Sequence, residues 1–155
     1  MLSQKENKLA SIIDLEKHPI NESHYQEKCK AELDKNGVLV LDNFLFESSV
    51  KSILDEAKTK EDVAYYCVNE HNVYLDPFDQ TLSKSHPRNK TVTSSKGCIT
   101  DDQVPKKSSL RALYNSPKFK DFLCSVLDEA VLYKYDDNLS SINIHYAKEG
   151  QELGW

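Results

Sequence analysis

The last fourteen residues are Ile142-Asn-Ile-His-Tyr-Ala-Lys-Glu-Gly-Gln-Glu-Leu-Gly-Trp155, and their pattern is the strongest indication of the fold. Successive side chains of a strand point to opposite faces. Ile142, Ile144 and Tyr146 therefore share one apolar face, while Asn143 and His145 share a face that can form hydrogen bonds. The pattern predicts a half-buried strand from Ser140 to Ala147.

Upstream residues predict a partner strand and a helix. Ala130–Tyr135 is rich in β-branched and aromatic residues, and the polar turn Asp136-Asp-Asn138 would join it to the last strand as a hairpin. Before it, Ser116-Pro117 combines a helix N-cap with proline at the first helical position. An apolar stripe then predicts a helix that packs on a large core, formed by Phe119, Phe122, Leu123, Val126 and Leu127.

The first part of the chain predicts helices around one strand. Leu2–Lys17 has nearly helical apolar spacing, and a second helix would start at Asn21 or Ser23 and stop at Gly37. Val38–Asp42 reads Val-Leu-Val-Leu-Asp, which favours a buried strand. Serines 48 and 49 then start a helix with one apolar face, formed by Val50, Ile53, Leu54 and Ala57.

The middle of the chain is less regular. Val63–Val68 and Asn72–Leu75 are typical of strands, whereas Ser85–Arg88 and Thr91–Asp102 are typical of loops. The 155 residues suit a single domain or part of one. We divide them into a helix-strand-helix module (1–60), a region of strands and long loops (61–108), and a helix followed by a strand pair (109–155).

Composition narrows the possible partners. A net charge of −5 and a pI near 5.5 do not provide the positive field that nucleic acid requires. No apolar stretch is long enough to span a membrane, and the polar amino terminus lacks the apolar core of a signal peptide. We therefore expect a cytoplasmic protein that binds neither nucleic acid nor membrane. The four cysteines lack the close spacing of zinc sites, and we interpret them as reduced thiols.

Two separated segments resemble one enzyme family. They are Leu33-Asp-Lys-Asn-Gly-Val-Leu-Val-Leu-Asp-Asn-Phe-Leu45 with the helix after it, and Asn143–Trp155. Both are similar to the iron(II)- and 2-oxoglutarate-dependent dioxygenases, especially the phytanoyl-CoA-hydroxylase-like and the amino-acid-hydroxylase or halogenase-like branches. The resemblance implies an α+β chain with N-terminal helices and part of a double-stranded β-helix, or jelly-roll, barrel.

The family resemblance also implies a chemistry. In the family, a turn like the last one here runs into a His-x-Asp motif that helps to hold Fe(II), with open positions for 2-oxoglutarate and oxygen. None of the five histidines of this chain is followed two residues later by Asp or Glu. We assign it no catalytic residue and no metal ligand. The resemblance implies the N-terminal part of an oxygenase that hydroxylates or halogenates a C–H bond of a small molecule, inactive as this chain alone.

Six residues are candidates for binding roles in such an enzyme. Asn143, His145 and Tyr146 lie on the strand that approaches the iron site, so the resemblance implies that they orient the cofactor or its surroundings. The substrate candidates are Arg88 and Arg111, the only arginines and thus possible carboxylate clamps, and the terminal Trp155. Each has a structural alternative: core packing for Tyr146, a solvated face for Asn143 and His145, a turn for Arg88 and a structural ion pair for Arg111.

Other functions remain open at this point. The main alternative is a non-catalytic interaction domain whose exposed strand edges recruit another chain or a second copy of itself. His71, with Glu70, Asp76 and Asp79, is the other possible group of metal ligands, but its spacing matches no known site and favours a solvated loop. A small hydrolase using His71 or His145 lacks a serine or cysteine in a nucleophile-elbow context.

Overall fold

The computed structural model describes residues 8–151, and their architecture is α+β. The helices are α1 (Ser23–Asn36), α2 (Glu47–Lys58), α3 (Ser109–Tyr114) and α4 (Pro117–Leu127). The strands are β1 (Tyr65–His71), β2 (Val92–Ile99) and β3 (Ile144–Tyr146), and single 3₁₀ turns occupy Glu61–Val63 and Asp101–Gln103. Among these residues, no helix is long and apolar enough to cross a membrane.

The strands form one open antiparallel sheet in the order β1-β2-β3. β1 pairs with β2 along its whole length, from Tyr65 opposite Cys98 to His71 opposite Val92. β3 pairs only with the last residues of β2, from Gly97 opposite Tyr146 to Ile99 opposite Ile144. Within residues 8–151 the sheet does not close, so a jelly-roll barrel is not part of the described fold. Among the described residues, one edge of β1 and the first half of β2 have no further strand beside them.

Two hydrophobic clusters hold the elements together. The larger lies between α1 and α4, and its buried members are Leu9, Ile12, Ile13, Ile20, Cys29, Phe122 and Val126. Phe122 is fully buried, and a side chain of this size contributes about 1.5–3 kcal/mol on leaving water. The smaller cluster lies between the sheet and α2 and α3, with Ile99, Val104 and Ile142 buried. The sheet thus has helices on one of its faces.

Two of the predicted helix ends are confirmed. Gly37 ends α1 with φ 67°, and the Gly37 amide donates to the Leu33 carbonyl. The Ser116 hydroxyl accepts from the Phe119 amide at the start of α4, and the Ser108 hydroxyl caps α3 through the Leu110 amide. By contrast, α2 begins at Glu47 without a side-chain cap, so the serines at 48 and 49 do not start it. The cap of α1 was predicted wrongly: Glu22 takes that position and makes no side-chain bond, although the helix does begin at Ser23.

The strand predicted over Val38–Asp42 is not present. Leu39 and Leu41 pack against the larger cluster, while Val38 and Val40 are exposed, so the apolar alternation is real. However, a strand also needs a hydrogen-bonded neighbour, and within residues 8–151 none runs beside this segment. A single bridge, between Ile13 and Leu45, follows it.

The pairing of the last strand also differs from the prediction. Ala130–Tyr135 is not a strand, and the exposed fraction of Tyr133 is 89%. β3 pairs instead with β2, which lies in Thr91–Asp102, the segment predicted to be a loop. Threonine, serine and lysine dominate that segment, so its strand character depends on the partners that β1 and β3 supply.

Two shorter predictions were wrong for local reasons. The Asn72 carboxamide accepts from the amides of Tyr74 and Asp76, which makes Asn72–Leu75 a turn instead of a strand, with Leu75 at φ 56°. The helix predicted over Leu2–Lys17 continues only to residue 10, because the chain turns there to form the bridge at Ile13. Residues 1–7 of that prediction lie outside the described part.

Candidate functional site

The two faces of the sheet have different chemistry. Ile99, Ile144 and Tyr146 belong to the smaller hydrophobic cluster and face α2 and α3. The alternate residues of the same strands face the other way. We call that side the open face and define it by Cys67 of β1, Lys96 and Cys98 of β2, and His145 of β3. The predicted alternation is therefore confirmed over Ile144–Tyr146, whereas residues 140–143 of the predicted strand lie in the turn before it.

The open face brings titratable groups from three strands together. Cys98 lies directly opposite His145, and Cys67 lies directly opposite Lys96. Side chains at directly opposite positions have Cβ atoms about 4.5–5.5 Å apart. The four side chains therefore form one continuous patch.

The electrostatics of this patch follow from burial and from Lys96. Partial burial lowers the pKa of His145, and the Lys96 ammonium lowers it further, since protonation would place two positive charges side by side. Burial raises the pKa of the Cys98 thiol, and Lys96 only partly offsets this. Near neutral pH the patch thus carries one positive charge, a largely neutral imidazole and a protonated Cys98.

Tyr146 lies on the opposite face from His145. Its ring meets the Tyr66 ring edge to face, with centroids 6.0 Å apart at an interplanar angle of 75°. Gly97 lies between the two rings, and a Cβ atom there would be 2.8 Å from Cε1 of Tyr66. Burial, followed by the influence of Tyr66, raises the pKa of Tyr146. The structure thus places Tyr146 in the packing between sheet and helices.

The Asn143 side chain forms hydrogen bonds with the nearby backbone. With its amide nitrogen turned toward two carbonyl oxygens, it donates to Leu139 at 2.8 Å and to Ile142 at 3.0 Å. These bonds hold the turn that leads into β3. Of the three predicted cofactor residues, only His145 joins the open face through a cross-strand contact.

The three predicted substrate residues do not come together. Arg111 donates to the Asp101 carboxylate and to the carbonyls of Asp101 and Val104, and both charged side chains are largely buried. Arg88 forms an exposed ion pair with Asp76 at 3.0 Å. Trp155 lies outside the described residues.

The residues near His71 that were considered as metal ligands do not form one group. Asp76 pairs with Arg88, and Asp79 accepts from the amide and hydroxyl of Thr81. The hydrogen bonds of Thr81 lower the pKa of Asp79. Throughout residues 8–151, no three or more His, Cys, Asp or Glu side chains are arranged to hold a metal ion.

The sequence did not predict the roles of two residues, Lys96 and Asn89. Lys96 has no distinguishing motif, and only the register of β2 reveals it as the charged member of the open face. Asn89 is buried within the segment between β1 and β2: its amide nitrogen donates to the carbonyls of Asp79, Leu82 and Ser83, and its oxygen accepts from the Asp79 amide. The segment between the strands holds two asparagines in its twenty residues, and its sequence does not distinguish Asn89 from the other.

A second surface lies beside α2. Its predicted apolar face is only partly covered, since Val50 and Leu54 are exposed and border a groove with Leu41, Phe44 and Leu45. Glu47, Lys51, Asp55 and Lys58 line the same groove, so its charges are mixed.

Comparison with known proteins provides no family assignment. No protein-family model, curated protein or solved structure matches this chain.

Proposed function

We propose that this chain forms the N-terminal part of an iron(II)- and 2-oxoglutarate-dependent oxygenase that acts on a small molecule. The observation that carries the proposal is the difference between the two faces of the sheet. One face packs on α2 and α3, while Lys96, Cys98 and His145 project from the other. This arrangement is compatible with a barrel, in which interior and exterior residues alternate along every strand.

The open edges of the sheet support the same proposal. β3 covers three residues of the eight in β2, and the outer edge of β1 is unpaired within residues 8–151. Unpaired strand edges attract further strands. In the proposed enzyme, additional strands would continue the sheet from these edges and enclose the open face.

The described residues do not themselves fit Fe(II). The open face offers one imidazole and two thiols, whereas iron of this type is held by two imidazoles and a carboxylate. In the proposed enzyme, iron with 2-oxoglutarate and oxygen would supply the oxidising chemistry, and the iron ligands would come from residues beyond this chain. The role of this chain is to pack the helices, hold the sheet and contribute the open face.

Reading the coding DNA beyond the Trp155 codon tests this proposal. We expect an in-frame His-x-Asp, or His-x-Gly if the enzyme is a halogenase. A polypeptide extended through that frame should form succinate from 2-oxoglutarate when Fe(II) and oxygen are present. An extended polypeptide with its first motif histidine changed to alanine is the matched control. A stop codon immediately after Trp155 contradicts the proposal, as does iron-dependent succinate formation by the 155-residue chain alone.

A second function is favoured by the outer edge of β1. This strand has seven residues, and the exposed fractions of Tyr65 and Val68 are both 68%. An unpaired edge of seven residues, with aromatic and apolar side chains in its first four, suits the addition of a strand from a second copy of the chain. On this proposal the chain is an interaction domain, and self-association is its measurable property.

Light scattering after gel filtration distinguishes a self-associating chain, as the second function requires, from a monomer. We expect a concentration-dependent dimer that Val68→Lys converts to monomer, because a charge on an edge strand opposes pairing. Val131→Lys changes another exposed valine outside the sheet and should leave the dimer unchanged. A wild-type chain that is monomeric at every concentration, or a dimer that both variants affect equally, contradicts it.

A further inference from the structure

The pair Asn36-Gly37 joins α1 to the extended segment that follows it. Asn36 is the only asparagine of the chain that precedes a glycine. An asparagine loses its side-chain amide most readily before glycine, because glycine has no Cβ atom to hinder attack by its own backbone nitrogen. Both residues are exposed, and a Cβ atom at Gly37 would meet nothing within 4 Å. Water and hydroxide therefore have access to this peptide group.

Loss of the Asn36 amide requires water as its only co-reactant. The Gly37 nitrogen gives its proton to a base in the solvent and attacks Cγ of Asn36, so that a new C–N bond forms and the bond from Cγ to Nδ2 breaks. Nδ2 takes a proton from water and leaves as ammonia, and a cyclic imide remains. Water then opens the imide at either carbonyl, which gives aspartate or isoaspartate without any oxidation or reduction.

Three features of the folded chain oppose this ring closure. Asn36 is the last residue of α1, and a helical ψ keeps the Gly37 nitrogen out of reach of Cγ. The Gly37 amide donates to the Leu33 carbonyl at 2.8 Å, so its nitrogen does not act as a nucleophile. The Asn36 carboxamide donates from Nδ2 to Oε1 of Glu32 at 2.5 Å, which holds Cγ against the helix. All three belong to the last turn of α1, so opening of that turn removes them together.

We propose that Asn36 is a deamidation site that the last turn of α1 controls: it is protected while the helix is capped and reactive when the turn opens. Local openings of this kind occur at the ends of elements without unfolding of the rest of a protein. The inference goes beyond the proposed function and does not depend on it, since it concerns only α1 and the residues next to it.

The product does not restore the closed turn. A carboxylate at position 36 lies one helical turn from Glu32, where like charges repel, and it adds negative charge at the carbonyl end of the helix. Isoaspartate also lengthens the backbone immediately before Gly37, whose φ of 67° forms the cap. Leu39 and Leu41 pack against the larger hydrophobic cluster just beyond this point. Deamidation should therefore loosen residues 38–42.

Peptide mass spectrometry of the 155-residue chain tests the protection. The chain is incubated at mildly alkaline pH with and without denaturing urea, and the conversion of Asn36 is followed with time. We expect a rate at least about tenfold lower in the folded chain, which corresponds to an opening free energy of about 1.4 kcal/mol. Equal rates in the two conditions contradict control by the turn, and no conversion of Asn36 in urea contradicts the chemistry.

Substitutions at Glu32 separate the last turn from the stability of the whole chain. Glu32→Ala removes the acceptor of the Asn36 side chain and should raise the rate in the folded chain about twofold, without changing the rate in urea. Glu32→Gln keeps an acceptor oxygen and should behave as the wild type does. Glu27→Ala changes another exposed glutamate of α1 and is the matched control. If Glu32→Ala and Glu27→Ala raise the folded-state rate equally, or if neither raises it, the inference is wrong.

Hydrogen exchange tests the structural consequence. The deamidated chain carries an additional negative charge, so ion-exchange chromatography separates it from the unmodified chain. We expect faster exchange at residues 38–42 of the deamidated chain and unchanged exchange in the pairing of β1 with β2. Identical exchange at residues 38–42 in the two forms would overturn the claim that the product leaves the turn open.

Discussion

Arg111 holds Asp101 through two hydrogen bonds, from Nη1 to Oδ1 at 3.0 Å and to Oδ2 at 3.2 Å. The same guanidinium also donates from Nη2 to the Asp101 carbonyl at 2.5 Å and to the Val104 carbonyl at 2.8 Å. The contact therefore ties α3 to the 3₁₀ turn that follows β2. A residue that the sequence presented as a possible substrate clamp thus uses both of its terminal nitrogens within the fold.

Arg111→Ala should destabilise the protein more than Arg88→Ala does. The exposed fractions of the side chains are 21% for Arg111 and 14% for Asp101, against 47% and 46% for Arg88 and Asp76. Loss of the first arginine leaves a mostly buried carboxylate and the Val104 carbonyl without their donor, which costs about 1–3 kcal/mol. Loss of the exposed pair costs roughly 0–1 kcal/mol. Urea unfolding measures both, and equal costs would contradict the structural role of Arg111.

Gly97→Ala should destabilise the sheet because the new methyl group has no room. Its Cβ would lie 2.8 Å from Cε1 of Tyr66 and 3.0 Å from Cε2 of Tyr146. We expect a loss of about 1–3 kcal/mol, the usual cost of overpacking. Tyr66→Ala removes one of the two obstacles, so in that background the same substitution should cost clearly less. A double-mutant cycle of urea midpoints with no coupling between the two positions refutes the steric explanation.

Asn89→Ala should loosen the segment between β1 and β2. Its buried carboxamide makes four hydrogen bonds with the backbone between residues 79 and 83. Removing it leaves the Asp79 amide and the Leu82 carbonyl without this partner, at about 1–3 kcal/mol for each one that stays buried, while the Asp79 and Ser83 carbonyls keep the backbone amides of Leu82 and His86. Hydrogen exchange should become faster at residues 79–83 and remain unchanged in α4. The exposed Asn21→Ala is the control, and exchange identical in both variants would be the contrary result.

Tyr25 should make the stability fall at alkaline pH. Burial, with a further effect of Cys29, raises the pKa of Tyr25 from 10.0 to about 12. Above pH 10 the unfolded chain loses this proton while the folded chain keeps it, so stability is complete below pH 10 and declines as pH rises through 12. Urea midpoints measured by circular dichroism across this range should show the decline.

Two substitutions show how much of the loss of stability at alkaline pH is due to Tyr25. Tyr25→Phe lowers stability at neutral pH, because the Tyr25 hydroxyl lies 2.7 Å from Nδ1 of the buried His18, but it should reduce the alkaline slope. The slope that remains is expected from Tyr146, whose pKa is also raised by burial. Tyr133→Phe changes an exposed ring and should keep the full slope. If the alkaline slope of stability against pH is unchanged in Tyr25→Phe, this explanation is wrong.

The features that the sequence predicted correctly depend on residues that are close together in the chain. Ser116-Pro117 starts α4 and Gly37 ends α1, because capping bonds and a positive φ involve only a few consecutive residues. The two faces of β3 were also correct, since alternation is a property of extended backbone itself. The apolar stripe of α4 correctly identified Phe122 and Val126 as core residues.

Strand pairing was less predictable. Val38–Asp42 has a stronger strand pattern than β2, but no strand lies beside it in the described structure, while the polar β2 is central because β1 and β3 flank it. Hydrogen bonds between strands join residues that are distant in the chain, and local composition does not report them. The candidate site was missed in part for the same reason: Lys96 acquires its neighbours only through the register of three strands.

Sequence alone was sufficient for the end of α1 at Gly37, the start of α4 at Ser116-Pro117 and the alternation that separates His145 from Tyr146, because each follows from short-range backbone geometry. Tertiary structure decided which strands pair, that Arg111 is held by Asp101, and that Lys96, Cys98 and His145 share one face without a carboxylate among the described residues. Those outcomes depend on contacts between distant segments, whose free energy exists only when the chain has folded.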